Sequence, residues 1–201
     1  MVVPSPVDAG CGRRATLPPV EIRLASLDDA EAIRAIYNPA VLDSTATFDL
    51  RPRSLADQQV WLREHSGAHA AIVAVDDGVV VGFGSLSPYR TRPAYVTSVE
   101  DSVYVHPDHH GKGVGRALLE ELVRLAKAHG FHAMFARIVG GHEASIALHR
   151  AVGFDLVGTE REVGRKFGRW LDVVAMQRVL GEVSPAPRPP GRLTGRRAAD
   201  H

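Results

Sequence analysis

The chain has 201 residues, of which 45% are hydrophobic and 23% are charged, and its formal net charge is +1. This length suits one domain with a core of ordinary size, and the single cysteine, Cys11, excludes a disulfide framework or a cluster of metal-binding thiolates. Acidic residues slightly outnumber basic ones between Glu21 and Leu180, so the clustered Lys and Arg that nucleic-acid binding rewards are missing.

Two tails flank the predicted domain. Residues 1–20 and 181–201 are rich in Pro, Gly, Arg and Ala without periodicity, which predicts disorder on either side of a domain at residues 21–180. No apolar run approaches the ~18 residues of a membrane span, and the N-terminus lacks the apolar stretch of a signal peptide. We therefore expect a cytoplasmic protein with neither a membrane nor a nucleic acid as its partner.

The first part of the domain predicts one strand and two helices. Glu21–Ala25 is typical of a short strand, and Ser26 is a suitable N-cap for a helix that Pro39 should end. Ser54 begins the second helix, where Asp57 three residues later completes a short capping box.

Three strands are predicted next. Ala70–Val75 and Val79–Leu86 are joined by Asp76-Asp77-Gly78, which is a strong hairpin signal. The third strand covers about Ser98–His106. Side chains alternate between the two faces of a strand, so one face of this strand carries Glu100, Ser102 and Tyr104.

Helices and strands alternate in the rest of the domain. An amphipathic helix begins at Gly115 and ends at Gly130. The elements that follow are a strand at Ala133–Val139, a short helix at Ala144–Val152, and strands near Asp155–Glu160 and Leu171–Arg178. The order βααβββαβαββ predicts a mixed α/β sheet with helices packed on both faces.

A glycine-rich loop lies between the third strand and the long helix. Gly113 and Gly115 allow backbone N–H groups to turn toward one point at the helix N-terminus, where phosphate oxygens bind well. The alternative is a strand-to-helix connection that uses glycine only for its flexibility, because short glycine patterns are common.

The residues around this loop extend the pattern. Val103-Tyr-Val105, then His110-Gly-Lys-Gly-Val-Gly115, then a helix resembles the acetyl-coenzyme A signature of the GNAT superfamily of N-acetyltransferases. The resemblance implies the GNAT fold, with a mixed and mostly antiparallel central sheet, and acetyl-coenzyme A as co-substrate. It implies pantetheine contacts at Val103, Tyr104 and Val105, and pyrophosphate contacts at Gly111, Lys112, Gly113, Val114, Gly115 and Arg116. His110 stands where the family usually has Gln or Arg, which removes a usual side-chain donor.

The segment from His142 to Phe154 resembles the late helix of the same family. The resemblance implies that His142 and Ser145 lie near the cofactor, although the family mostly has Asn where this chain has His142. Ser145 and His149 are four residues apart, so they share one face of the predicted helix.

Further segments are similar to one subfamily, the phosphinothricin and methionine sulfoximine/sulfone N-acetyltransferases. These segments are Ser44–Phe48, Arg90–Tyr95, Ser98–Val105 and Gly164–Asp172. The resemblance implies acetyl transfer to the amine of a small amino-acid-like substrate, with substrate contacts from Phe48, Arg90, Arg92, Tyr95, Tyr104, Val139 and Gly140. An arginine fork suits a carboxylate or a phosphinate, whereas the alternative for Arg90 and Arg92 is a solvated basic loop.

The chemistry requires a base, because an ammonium group cannot attack a thioester and a model α-amino group has a pKa of about 8. Glu100 matches the proposed catalytic glutamate of the subfamily, and its alternative is a solvated glutamate on a strand. His149 could be a second base, a donor to the departing thiolate, a substrate ligand or a structural histidine. Cys11 is unsuitable as an acyl carrier, so we expect direct transfer in a ternary complex.

Two groups of residues have no single interpretation from sequence. His106, Asp108, His109 and His110 could suggest a metal site, but Pro107 and a turn give their side chains no common direction, so we expect no metal. Lys166, Arg169 and Trp170 border either the acceptor pocket or the interface of a homodimer.

Two other functions compete with this interpretation. A GNAT domain could instead acetylate a protein N-terminus or another small amine such as an aminoglycoside, although Arg90 and Arg92 argue against a cationic aminoglycoside. The domain could also be a non-catalytic sensor of acyl-coenzyme A, but that interpretation requires the catalytic base to be missing, and Glu100 is present.

Overall fold

The computed structural model describes residues 20–181, so nearly all of both predicted tails, including Cys11, lies outside the described residues. The strands are β1 (Glu21–Leu24), β2 (Ala71–Asp76), β3 (Val79–Pro88), β4 (Ser98–Val105), β5 (Ala133–Val139), β6 (Asp155–Lys166) and β7 (Arg169–Val179). The helices are α1 (Ala30–Asp43), α2 (Leu55–Glu64), α3 (Val114–Ala128) and α4 (Glu143–Ala151). The predicted order βααβββαβαββ is confirmed. No helix within residues 20–181 has the length and apolar character to cross a membrane.

The seven strands form one sheet in the order β1-β2-β3-β4-β5-β7-β6. Every neighbouring pair is antiparallel except β4 and β5, which are parallel. The parallel pairing covers only three residue pairs, from Ser98↔Ala133 to Glu100↔Phe135. Beyond Glu100 the two strands separate, and this separation opens a gap in the middle of the sheet.

Helices cover both faces of the sheet, as predicted, because adjacent strand residues point to opposite sides. On one face, Leu118 and Leu122 of α3 are fully buried against the sheet. On the other face, Ile33 and Tyr37 of α1 pack against Phe83 of β3. Burying each large apolar side chain contributes about 1.5–3 kcal/mol, so the two layers hold α1 and α3 on opposite sides of the gap.

Helix α1 differs from the prediction at both ends. It begins at Ala30, after a 3₁₀ turn at Leu27–Asp29, where Asp29 accepts two hydrogen bonds of 2.8 and 2.7 Å from Arg23 of β1. The prediction that Pro39 ends the helix is wrong, because α1 continues to Asp43. Proline removes only one hydrogen bond of the helix ladder, and the buried side chains of Tyr37 and Val41 keep both halves of α1 on the core.

The last two strands are longer than predicted. They form a hairpin that turns at Phe167 and Gly168, both with positive φ (50° and 75°), as a tight hairpin turn requires. We call residues 163–171 the distal hairpin. Its apolar side chains Val163, Phe167 and Trp170 are 49%, 54% and 60% exposed.

Candidate active site

A cavity of about 590 Å³ occupies the gap between β4 and β5. Its walls come from the separated halves of these two strands, from α1 and the loop after it, and from α4. Seven of the predicted site residues line it: Val103, Tyr104, Val105, Val139, His142, Ser145 and His149. The fold therefore brings predicted site residues from three separate elements to one cavity.

The backbone of β4 has one open edge along this cavity. Val103 to Val105 pair with β3 on one side, but within residues 20–181 their other side has no strand partner after the pairing with β5 ends at Glu100. Nε2 of His110 lies 2.9 Å from the carbonyl oxygen of Val105, so this side chain folds back onto the end of the strand. An amide-bearing chain such as pantetheine could pair with the open edge.

The glycine loop precedes α3 as predicted. Gly111 and Gly113 have φ of 72° and 87°, and α3 begins at the next residue, Val114. Among residues 20–181, no acceptor is found for the backbone N–H groups of Gly111–Arg116. A Cβ atom added at Gly111 or Gly113 would meet nothing within 4 Å. Free donors, open space and the positive end of a helix together suit a pyrophosphate.

Glu100 lies at the closed end of the gap rather than on the cavity wall. Its side chain is half-buried on the α1 face of the sheet, the face on which Tyr104 contacts Tyr37 with 5.0 Å between ring centroids. Burial raises the pKa of Glu100 to about 7; Arg137 and Arg90 oppose this rise, and Asp101 and Glu160 add to it. A carboxyl group with this pKa can accept a proton near neutral pH.

Arg137 is a candidate that sequence reasoning missed. It lies two residues after Phe135 on β5, on the same face as Glu100, and among the described residues it is the only Arg or Lys that lines the cavity. Both terminal nitrogens of its guanidinium bind the carboxylate of Glu160 on β6. The alternation of side chains along β5 places Arg137 on the same face as Phe135. Only the register between β4 and β5, which the sequence does not reveal, shows that this is also the face of Glu100.

The predicted acceptor residues before β4 lie outside the cavity lining. Arg90 is exposed, and its guanidinium lies over the rings of Tyr89 and Tyr95, 5.1 and 5.8 Å from their centroids. Tyr89 stacks on Phe135 at 3.9 Å, so this group covers the strand pair next to Glu100. Arg92 is exposed at the start of the Pro93–Tyr95 turn.

The loop from Ser44 to Asp49, which we call the acceptor loop, forms another wall. Ser44 and Ala46 line the cavity, and Thr45 Oγ1 lies 3.0 Å from Nε2 of His142. Phe48 lies beyond the lining and packs against the backbone of Gly164 in the distal hairpin. Gly140 is also outside the lining, and its N–H binds the carbonyl of Asp172.

The model of the acetyltransferase (GNAT) family matches residues 31–154. The chain belongs to the GNAT acetyltransferase family. It is 42% identical over 168 residues to the L-methionine sulfoximine/L-methionine sulfone acetyltransferase of Pseudomonas aeruginosa, covering 83% of this chain and 98% of that relative. The family and fold predicted from the sequence are thereby confirmed.

Solved structures agree with this assignment. A GNAT phosphinothricin acetyltransferase from Sinorhizobium meliloti, in complex with acetyl-coenzyme A, is 42% identical with a TM-score of 0.80, covering 86% of this chain and 95% of that one. A ribosomal-protein-alanine N-acetyltransferase from Brucella melitensis is 41% identical with a TM-score of 0.78, covering 80% of this chain and 99% of that one.

His149 of this GNAT domain is held in a buried pair. Its Nε2 lies 3.0 Å from Oδ2 of Asp101, and its Nδ1 lies 2.7 Å from the carbonyl oxygen of Ser145. Burial alone would lower the pKa of His149, but the hydrogen bond and charge of Asp101, with the Ser145 carbonyl, raise it overall. Both ring nitrogens then donate, and neither is free to accept a proton. This geometry argues against His149 as a base and favours a role in fastening α4 to β4.

Replacing His149 with Gln is expected to lower the free energy of unfolding by about 3–5 kcal/mol, because the buried carboxylate of Asp101 would lose its cation. The double variant Asp101→Asn/His149→Gln should recover part of this loss. Because the pKa of His149 is raised, the pair's stabilisation is complete at acid pH and is lost as pH rises through that pKa. Urea unfolding across a pH series measures this. If the folded single variant loses kcat at unchanged stability, His149 acts in the chemistry instead.

The histidine cluster before the glycine loop has local partners. His106 accepts a hydrogen bond from the N–H of Asp108, and Nδ1 of His109 lies 3.6 Å from Oδ2 of Asp76. Among residues 20–181, no group of three or more His, Cys, Asp or Glu could hold a metal ion. A metal-free GNAT site stays a prediction.

Proposed function

We propose that residues 21–180 form an N-acetyltransferase that transfers acetyl from acetyl-coenzyme A to the α-amine of a small amino-acid analogue, of the phosphinothricin, methionine sulfoximine or methionine sulfone type. The observation that carries the proposal is the open edge of β4 leading to Glu100, whose pKa is about 7. The similarity to a methionine sulfoximine/sulfone acetyltransferase over 83% of the chain supports the acceptor class.

The cofactor residues have the chemistry that acetyl-coenzyme A needs. Val103–Val105 offer a strand edge to the pantetheine, and the N–H groups of Gly111–Arg116 offer donors to the pyrophosphate. His142 and Ser145 line the opposite wall. Acetyl-coenzyme A supplies the acetyl thioester when bound, in direct transfer within a ternary complex.

Glu100 performs the proton step in this proposal. It accepts a proton from the acceptor ammonium, directly or through one water, and the neutral amine can then attack the acetyl carbonyl. The C–N bond would form as the C–S bond breaks, and the departing thiolate of coenzyme A would take up the second proton that the nitrogen loses. Arg137 and Arg90 oppose the rise in the pKa of Glu100, so they favour the ionised carboxylate that a base requires. Arg90, Arg92, Tyr95, Phe48, Tyr104, Val139 and Gly140 are the proposed acceptor contacts.

A protein N-terminus is the second candidate acceptor. The similarity to a ribosomal-protein-alanine N-acetyltransferase at 41% identity favours it. The two acceptors differ in size, because a peptide continues past the carbonyl group where a free amino acid ends in a carboxylate.

A panel of acceptors tests the function. Purified protein with acetyl-coenzyme A should release thiol with methionine sulfone, methionine sulfoximine or phosphinothricin, and much more slowly with an alanine-starting peptide or an aminoglycoside. A methionine sulfone amide is the matched control, because it lacks only the carboxylate. If the protein prefers the peptide, a protein N-terminus replaces the amino-acid analogue as the proposed acceptor. If none of the amines causes thiol release, the remaining function is that of a non-catalytic sensor of acyl-coenzyme A.

We also infer a cytoplasmic homodimer. The distal hairpin exposes three large apolar side chains, Val163, Phe167 and Trp170, and exposed apolar surface of this kind is a feature of protein–protein interfaces. A second copy of the chain is the occupant that this hairpin would suit.

A further inference from the structure

A lysine in the distal hairpin is almost completely buried. Lys166 is 4% exposed, and its Nζ donates a hydrogen bond of 2.8 Å to the carbonyl oxygen of Thr47 in the acceptor loop. A second, longer contact of 3.5 Å reaches the carbonyl oxygen of Ala40 in α1. Among the described residues, no carboxylate lies within 4.0 Å of this ammonium.

This arrangement is costly for the fold. Lysine is rarely buried without a partner of opposite charge, because removing an ammonium group from water is unfavourable. Burial accordingly lowers the pKa of Lys166, and the nearby charge of Asp49 only partly offsets the effect. Such departures from ordinary packing occur at functional sites, where a precise position is worth a loss of stability.

Through its hydrogen bond to Thr47, Lys166 holds the acceptor loop in position. Thr47 is followed directly by Phe48, and the ring of Phe48 lies so close to Gly164 that a Cβ atom there would overlap it. The hairpin thus contacts the loop twice, through the Lys166 ammonium and through the bare backbone of Gly164. The other end of the loop is held separately, by the hydrogen bond between Thr45 and His142 on the cofactor side.

We infer that Lys166 is a positioning residue for the acceptor: its ammonium fixes the backbone of Thr47 and, through it, the position of Phe48, which is one of the proposed acceptor contacts. This inference rests on the proposed function, because Phe48 matters only if an acceptor binds beside it. The lysine acts through the loop and touches no reacting atom.

Replacing Lys166 with Met tests this. Methionine fills a similar volume without charge or donor, so the KM of the acceptor should rise about ten-fold or more while the KM of acetyl-coenzyme A changes little. The melting temperature should stay level or rise, because an unpaired buried charge has been removed. Arg165→Met is the matched control: Arg165 is exposed, lies over Trp170 on the neighbouring strand and, within residues 20–181, makes no side-chain hydrogen bond or ion pair to the loop. It should leave both KM values unchanged.

Gly164→Ala provides a second variant that does not disturb the buried charge. The added methyl group must displace the ring of Phe48, so the acceptor KM should again rise selectively. Hydrogen exchange of residues 44–49 is a readout that needs no acceptor, and it should become faster in Lys166→Met but not in Arg165→Met. If exchange of residues 44–49 is faster in Lys166→Met but the wild type acetylates no acceptor, the proposed function is refuted while the contact between Lys166 and the loop is supported. Unchanged exchange, or equal increases in both KM values, would overturn the role of Lys166.

Discussion

Replacing Glu100 with Gln is expected to lower kcat by about 10²–10⁴-fold at pH 7, the usual contribution of a general base. Glutamine keeps the shape of the side chain but cannot accept the proton of the acceptor ammonium. The loss should shrink as pH rises, because the acceptor amine then deprotonates unaided. The measurement is a pH series of kcat and kcat/KM with methionine sulfone as the acceptor.

The wild type itself should lose activity below about pH 7, because the pKa of Glu100 is about 7 and only the ionised form is a base. Arg137→Met should move this acid limb to higher pH, and Glu160→Gln should move it to lower pH, because the two charges act on Glu100 in opposite directions. Shifts of the same sign would contradict this electrostatic account. A near-normal kcat in Glu100→Gln at pH 7 would remove Glu100 as the base.

Stability gives an independent check on the same carboxyl group. The folded pKa of about 7 lies above the ordinary value of 4.5, so the folded state binds more protons than the unfolded state between these values. The wild type should therefore lose stability as pH rises from about 4.5 to about 7, and Glu100→Gln should lack this part of the slope. Activity would fall in the variant while stability at pH 8 would not.

Gly113→Asp is expected to abolish the binding of acetyl-coenzyme A. The wild type should melt at a higher temperature with acetyl-coenzyme A. At a hundred-fold excess of the cofactor over its Kd, binding adds about 2.7 kcal/mol to the free energy of unfolding. Aspartate adds a negative charge beside the proposed pyrophosphate position, and it strains a backbone with φ of 87°. Thermal melting with and without acetyl-coenzyme A measures the loss.

Gly130→Asp is the matched control for backbone strain. Gly130 lies just beyond the opposite end of α3, has φ of 79°, and has no atom within 4 Å of an added Cβ, as at Gly113. Both variants should melt lower than the wild type without cofactor, but only Gly130→Asp should keep the cofactor-induced rise. If Gly113→Asp keeps it too, the loop does not hold the pyrophosphate.

The order of the elements could be predicted because each one leaves a local pattern in the sequence. The capping pair Ser54–Asp57 and the turn at Asp77-Gly78 appear in the structure as the sequence indicates, since both depend on a few adjacent residues. The prediction that Pro39 ends α1 is wrong, because the buried side chains on either side of Pro39 outweigh one lost hydrogen bond and the local pattern does not show their burial.

Contacts between distant residues could not be predicted in this way. Asp101 and His149 are 48 residues apart, and Lys166 and Thr47 are 119 apart, so no local pattern connects them. The sequence leaves several roles open for His149, and its contacts with Asp101 and Ser145 are visible only in the structure. For Lys166 the sequence leaves the pocket and the interface as alternatives, and its hydrogen bond to Thr47 is visible only in the structure.

The short parallel pairing of β4 and β5 makes the sheet two half-sheets joined along a narrow seam. Only three residue pairs join β4 to β5, and the two strands are not paired beyond Glu100. A pantetheine chain bound to the open edge of β4 would pair with it like an extra strand and would stabilise the junction between the two half-sheets. The amides of residues 101–105 should therefore exchange more slowly when acetyl-coenzyme A binds, and the co-substrate would complete the sheet as well as supply the acetyl group.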